Sequence, residues 1–241
     1  MEVVENQFQE QVKIFNKLMH SQSQRLSLEG VHDLRVSTRR LRSLIDLLEK
    51  STAHKVPKAA KKSLKELGDL LGDRRQWDVA LQGARRYHLN TQGLLKDQRA
   101  AGSKLHKILQ RPEIQKIPHE LRIFGEGLGV DRVPVRDKLL QKVSTELKQW
   151  IRQKKFSKKE IHLLRISMKK IRYTFEFLDL PVNDLKDLQE SLGQCHDLTV
   201  LSDYFGRPKK VKKDEQKKYK KIQKRIRPAL RSSLDVLGSV R

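Results

Sequence analysis

The sequence predicts an all-helical protein, and three observations carry that expectation. Apolar residues recur every three or four positions along nearly the whole chain, strand-type alternation is missing, and β-branched residues are sparse. From the N-terminus, Val4, Phe8, Val12, Phe15 and Met19 form one amphipathic stripe. Leu34, Leu41, Ile45 and Leu48 form a second, and Leu64, Leu67 and Leu71 a third. Beyond the midpoint, Leu139, Val143, Leu147 and Ile151 repeat the pattern, followed by Leu164, Ile171, Phe175 and Leu178. Tyr219, Ile222, Ile226, Leu230, Leu234 and Leu237 mark a terminal helix, which Pro228 is expected to kink.

The richest cluster of helix breakers is Gly125-Glu126-Gly127-Leu128-Gly129 followed by Pro134, which reads as a linker. It divides the chain into an N-terminal half, 1–125, and a C-terminal half, 126–241. The first half carries 24 basic and 14 acidic side chains, the second 29 and 15, so both are basic.

The 241 residues include 53 Lys and Arg against 29 Asp and Glu, a formal charge of +24. A small soluble domain carries a net charge of roughly 2 to 8 in magnitude. Self-repulsion of the larger excess opposes compaction, so a polyanionic partner that neutralises part of it is expected. The one cysteine, Cys195, excludes an internal disulfide and a cysteine-based zinc site. No apolar run approaches the ~20 residues of a membrane span, so no membrane partner is expected. The acidic start, Met1-Glu2-Val3-Val4-Glu5, lacks the apolar core of a secretory leader, which makes the cytoplasm the expected compartment.

The strongest signal is an internal repeat. Val31-His32-Asp33-Leu34-Arg35-Val36-Ser37-Thr38-Arg39-Arg40-Leu41-Arg42 returns 130 residues later as Ile161-His162-Leu163-Leu164-Arg165-Ile166-Ser167-Met168-Lys169-Lys170-Ile171-Arg172. Only Asp33/Leu163 and Thr38/Met168 differ in kind. A second block follows each copy: residues 67–79 (LGDLLGDRRQWDV) align without gaps to 188–200 (LQESLGQCHDLTV). Two ordered blocks repeating together point to duplication of one helical unit.

On a helix with His32 at zero, Arg35, Arg39 and Arg42 fall at about 300°, 340° and 280°, one narrow face. Leu34, Leu41, Ile45 and Leu48 fall on the opposite side. His162, Arg165, Lys169 and Arg172 repeat the basic stripe, whereas Arg40 and Lys170 sit off it. A solvated helix face normally mixes charges, yet neither stripe carries an acid on its face, Asp33 falling about 100° from His32. Each runs about 15 Å at 1.5 Å per residue. Packed about a pseudo-twofold axis, the two stripes would line a narrow basic groove or pore suited to a slender, multiply charged anion. Arginine supplies forked donors matched to phosphate oxygens, and lysine a point charge. Neighbouring cations disfavour a metal at His32 or His162 and should depress the pKa of both until an anion binds. No cofactor or metal is expected. The His-Asp pairs at 32–33 and 196–197 echo metal-dependent phosphohydrolases, but adjacent helical residues diverge by about 100°. Leu163 also replaces Asp33 in the repeat.

These residues resemble a known family. His32–Arg42 and His162–Arg172 look like the two signature helices of the CHAD domain, the conserved-histidine α-helical domain. Leu71-Gly72-x-x-Arg75-x-x-Asp78-Val79 and Leu192-Gly193-x-x-x-Asp197-Leu198-x-Val200 resemble its second signature. The resemblance implies a single domain of two pseudo-twofold-related helical bundles around a central basic pore. It also implies binding of inorganic polyphosphate without catalysis, in a setting that includes polyphosphate granules. By matching motif positions, His32, Arg35, Arg39, Arg42, His162, Arg165, Lys169 and Arg172 would contact phosphate. Arg40, Lys170, Lys65, Lys186 and Arg75 also match basic positions of the pattern. Gln76 stands where the family usually has Asp, and His196 where Asn or Arg is common.

Residues 207–231 hold 13 basic side chains with only Asp214 and Glu215 among them. This cationic face can gather polyanion outside a pore or bind nucleic acid non-specifically. A DNA- or RNA-binding protein is accordingly the alternative to polyphosphate binding, although aromatics at 5% offer few stacking platforms. A metal-dependent phosphohydrolase is the third reading.

Overall fold

The computed structural model describes residues 2–128 and 135–239, with the side chains of residues 2–4, 51 and 135 outside that description. Ten helical segments and no strand occur among the described residues: α1 (Glu2–Gln24), α2 (Leu28–Ser51), α3 (Lys58–Arg86), α4 (Gln92–Leu109), α5 (Pro112–Gln115), α6 (Ile117–Gly127), α7 (Val135–Arg152), α8 (Lys158–Phe177), α9 (Asn183–Tyr204) and α10 (Lys209–Gly238). The all-α class expected from periodicity is the class observed. The chain separates into two units, Met1–Arg85 with Leu89–Val135, and Arg86–His88 with Arg136–Arg241.

In the first unit α1 packs against α2, α4 and α6. Phe8, Val12, Phe15 and Met19 of α1 are buried, as are Leu34, Leu41, Ile45 and Leu48 of α2 and Leu64, Leu67 and Leu71 of α3. Phe8 meets Phe124 of α6 edge to face, with ring centroids 5.4 Å apart. Helix α2 starts where Ser27 caps it, its hydroxyl accepting from the Gly30 amide at 3.0 Å.

The linker expected at residues 125–129 is corrected here, because Gly125 and Gly127 continue α6. Gly125 is buried, and a Cβ there would lie 2.5 Å from Gln9 Nε2 and 3.0 Å from the Phe8 ring. The missing side chain lets α6 approach α1, while Gln9 donates to the Arg122 carbonyl at 2.9 Å. Close packing, not chain flexibility, explains this glycine. Gly129 and Pro134 lie outside the described residues.

In the second unit α9 packs against α8 and α10. Leu139, Val143, Leu147, Leu164, Ile171, Phe175 and Leu178 are buried, and Ile151 is half-buried. Ser157 and Glu160 form a reciprocal capping box at the start of α8. Ser157 stands 130 residues after Ser27, so the repeat extends upstream to the residues that start each basic helix. Helix α10 runs through Pro228, which lies on its exposed side, where water can hydrate the carbonyl left without a partner. Ile222, Ile226, Leu230 and Leu237 form its buried face. Burial also pushes the Cys195 thiol on α9 up to about 11.

Candidate anion-binding site

The helical faces fall as the repeat dictates. On α2 the core side is Leu34, Thr38, Leu41 and Ile45, and Arg35, Arg39 and Arg42 emerge half-buried beside it. On α8 the core side is Leu164, Met168, Ile171 and Phe175, with Arg165, Lys169 and Arg172 half-buried. His32 and His162 stand one turn earlier, open to solvent on one side and desolvated by the protein on the other. These six cations are thus seated partly in the low-dielectric wall, where an anion is attracted more strongly than in bulk water.

Around His32 the first unit gathers positive charge from two helices. Partial burial lowers its pKa most, Arg75 of α3 follows, and Arg35 and Arg39 add to the effect against the opposing Asp33. Burial likewise leads at His162, ahead of Arg165 and Lys169. The depression expected from the sequence has the expected direction, but desolvation outranks the cations. His196, noted in the sequence only as a departure from pattern, places its ring 5.8 Å from that of His162. The gapless alignment of the second block sets His196 opposite Arg75, a signal that identifies both as neighbours of the stripe histidine.

The last arginine of each stripe meets a carboxylate that lies off the stripe. Arg42 reaches Asp69 of α3 at 3.8 Å, both exposed enough for solvent to weaken the pair. Arg172 lies 3.3 Å from Glu176 one turn on, with only 12% of its side chain exposed, and also covers the Tyr173 ring. Gly68 makes room for Arg42: a Cβ there would lie 2.8 Å from its Nη1 and 3.3 Å from Thr38 Cγ2. Lys65, Lys170 and Lys186 are exposed, and Arg40 is half-buried.

Buried polar side chains tie α3 to α4 in the first unit and α8 to its neighbours in the second. Asp78 of α3 accepts from Arg74 at 2.8 Å and from Gln98 of α4 at 2.7 Å. In the second unit Glu215 of α10 accepts from Lys158 at 2.7 Å and Thr199 at 3.0 Å. Ser167 on α8 accepts from the Trp150 indole at 2.8 Å and donates to Glu146 at 2.6 Å. Among the described residues no group of three or more His, Cys, Asp or Glu can hold a metal ion. No described helix is long and apolar enough to cross a membrane.

The family model of the CHAD domain matches residues 13–206. The chain belongs to the CHAD domain family. Among solved structures, the CHAD domain from the plant Ricinus communis superposes with a TM-score of 0.70 at 23% identity, covering 100% of this chain and 92% of that one. PptA from Streptomyces chartreusis gives a TM-score of 0.61 at 11% identity, covering 99% and 98%. At these identities the likeness is one of fold. No curated protein matches the sequence. The CHAD match contains both repeat blocks, and α10 lies beyond its C-terminal limit.

Proposed function

We propose that this CHAD domain binds inorganic polyphosphate as a non-catalytic module, through His32, Arg35, Arg39, Arg42 and Arg75 in one repeat and His162, Arg165, Lys169 and Arg172 in the other. Arg40, Lys65, Lys170 and Lys186 supply the flanking positive field. The observation that carries this reading is the same His-x2-Arg-x3-basic-x2-Arg stripe on α2 and α8, each with its three cations half-buried beside the core. Such a row offers phosphate oxygens several forked donors at one-turn intervals. Both repeats then form one domain whose stripes line a single basic pore, as the family resemblance implies. Storage or targeting at cytoplasmic polyphosphate granules fits binding without turnover.

Binding by charge neutralisation releases counterions, so affinity should fall steeply with salt. The decisive experiment is calorimetric titration with long-chain polyphosphate of wild type and of Arg35→Ala/Arg165→Ala. Each charge-assisted contact is worth about 1.5–3 kcal/mol, so losing two should weaken binding by roughly 100-fold or more. Equal affinity in the two proteins would overturn the reading. In a shared pore the two single substitutions should couple in a double-mutant cycle, whereas independent sites would give additive losses. Phosphate release from polyphosphate with added divalent metal would contradict a purely binding role.

A further inference from the structure

We infer that α10 carries a second, separate polyanion surface, whose fitting partner is the phosphate backbone of double-stranded nucleic acid. The buried side of α10 is Val211, Glu215, Ile222, Ile226, Leu230, Ser233 and Leu237. With Lys209 at zero, that side centres near 250° at 100° per residue. Opposite it, between about 20° and 120°, lie Lys210, Lys213, Lys217, Lys220, Lys221, Lys224 and Arg231. All seven are exposed, and none makes an ion pair among the described residues. Two acids of α10 are held off this face, Glu215 buried against Lys158 and half-buried Asp214 accepting from Tyr87 at 2.8 Å. Exposed Asp235 shares the arc only at its end, one turn beyond Arg231, and Asp187 and Glu190 of α9 border it only at Lys221.

The cations of α10 therefore sort into two sets. Lys218 and Arg225, on the flank toward α9, are engaged: Lys218 donates to Gln194 at 2.5 Å, and Arg225 donates to Ser191 at 2.9 Å while approaching Asp187 at 3.9 Å. The outer set has no such engagement and forms a continuous face. From Lys210 to Arg231 it runs about 32 Å at 1.5 Å per residue, close to the 34–36 Å of one duplex turn. Side chains spread over a 100° arc fan their charges across roughly 10–13 Å, comparable with the ≈ 12 Å major groove between its phosphate walls.

That width favours a duplex over a linear polyanion, which would neutralise only a line along the face. Like charges crowded at i,i+3 and i,i+4 repel one another, and two rows of phosphate would relieve that repulsion together. The set is almost all lysine, a point-charge donor, so it would hold phosphates without reading base edges. Surface aromatics for stacking a single strand are absent from the face. An interfacial membrane helix needs a free apolar side to insert, and that of α10 is committed to its own core. The proposal stands independently of polyphosphate binding at α2 and α8.

The test is fluorescence anisotropy with a labelled 20-base-pair duplex of random sequence, titrated with the full chain at several salt concentrations. Lys213→Gln/Lys217→Gln/Lys220→Gln/Lys224→Gln should weaken duplex binding at least tenfold. It should also flatten the log–log salt slope by about 3 to 4, because each phosphate neutralised by a lysine accounts for ~0.9 of that slope. Lysine→Arg at the same four positions should keep binding, and circular dichroism should report unchanged helicity. Arg35→Ala/Arg165→Ala should bind the duplex as wild type does, while the lysine variant keeps its polyphosphate affinity. The proposal is overturned if the four glutamines leave duplex affinity and slope unchanged, or if the stripe variant abolishes duplex binding. It is equally overturned if, in the stripe variant, polyphosphate or phosphatidylserine-containing vesicles occupy α10 more tightly than the duplex at equal salt.

Discussion

The two basic helices carry one pattern but rest on different supports. Beside His32 the first unit places Arg75, a permanent cation; at the aligned position the second unit places His196 against His162. Elsewhere in its core, the first unit buries Asp78 of α3 with Arg74 as its cation. At the aligned positions the second unit has Thr199 and Cys195, and a buried carboxylate reaches Thr199 from α10 instead, as Glu215. The stripe is thus common to both repeats while the buried polar groups of the following helices are exchanged. Each unit keeps one buried acid matched to its donors, although the acid comes from a different helix.

The sharpest break in that comparison should come from the two carboxylates. Asp78→Ala strands Arg74, whose side chain is only 15% exposed, and should cost about 3–5 kcal/mol in denaturant unfolding. Glu215→Ala leaves Lys158, 66% exposed, free to swing into water, so about 1–2 kcal/mol is expected. Equal losses would mean that the two supports are equivalent despite their different exposure.

Next in size is the contrast between Ser167 and its counterpart Ser37. Ser167→Ala breaks the bridge from Trp150 to Glu146 and should cost about 1–2 kcal/mol. Ser37 Oγ is buried and finds no hydrogen-bond partner among the described residues, so Ser37→Ala should be neutral or slightly stabilising. Thermal unfolding of both variants checks the pair, and destabilisation by Ser37→Ala would refute the asymmetry.

The histidines give smaller, pH-dependent effects. Both have lowered pKa values in the folded protein, so below the unfolded value of 6.5 the unfolded chain binds more protons. Their contribution to stability is present above that pH and is lost as pH falls through the folded values. Bound polyphosphate reverses the sign by favouring the imidazolium, so affinity should weaken severalfold from pH 6 to pH 8. Calorimetry in buffers of different ionisation enthalpy should register the accompanying proton uptake. Exchanging the neighbours gives the finest test, read by NMR titration of the imidazoles. His162 should titrate at lower pH in His196→Arg, and His32 at higher pH in Arg75→His.

Much of this was legible in the sequence because helix faces follow from spacing alone. The stripes at 32–42 and 162–172 and the core leucines opposite them needed no tertiary information. The helical run through Gly125 and Gly127 was not legible: a glycine that admits a neighbouring helix and one that breaks its own look alike until Phe8 and Gln9 are in place. Nor did the acid-free stripe faces reveal Asp69 and Glu176, since one arrives from another helix and the other from the turn beyond the repeat. His196 was recoverable, because the alignment already set it opposite Arg75.

The buried thiol of Cys195 has a practical consequence. Its neighbours on α9, His196 and Thr199, touch the stripe histidine and the carboxylate of α10. A thiol pushed up to about 11 by burial is inert to alkylation near neutral pH while α9 stays covered. Reaction requires α10 to lift or the unit to open, so the labelling rate measures that opening without any engineered probe. The chain carries its own clock for the breathing of the second unit, and a ligand that ties α10 down should slow it.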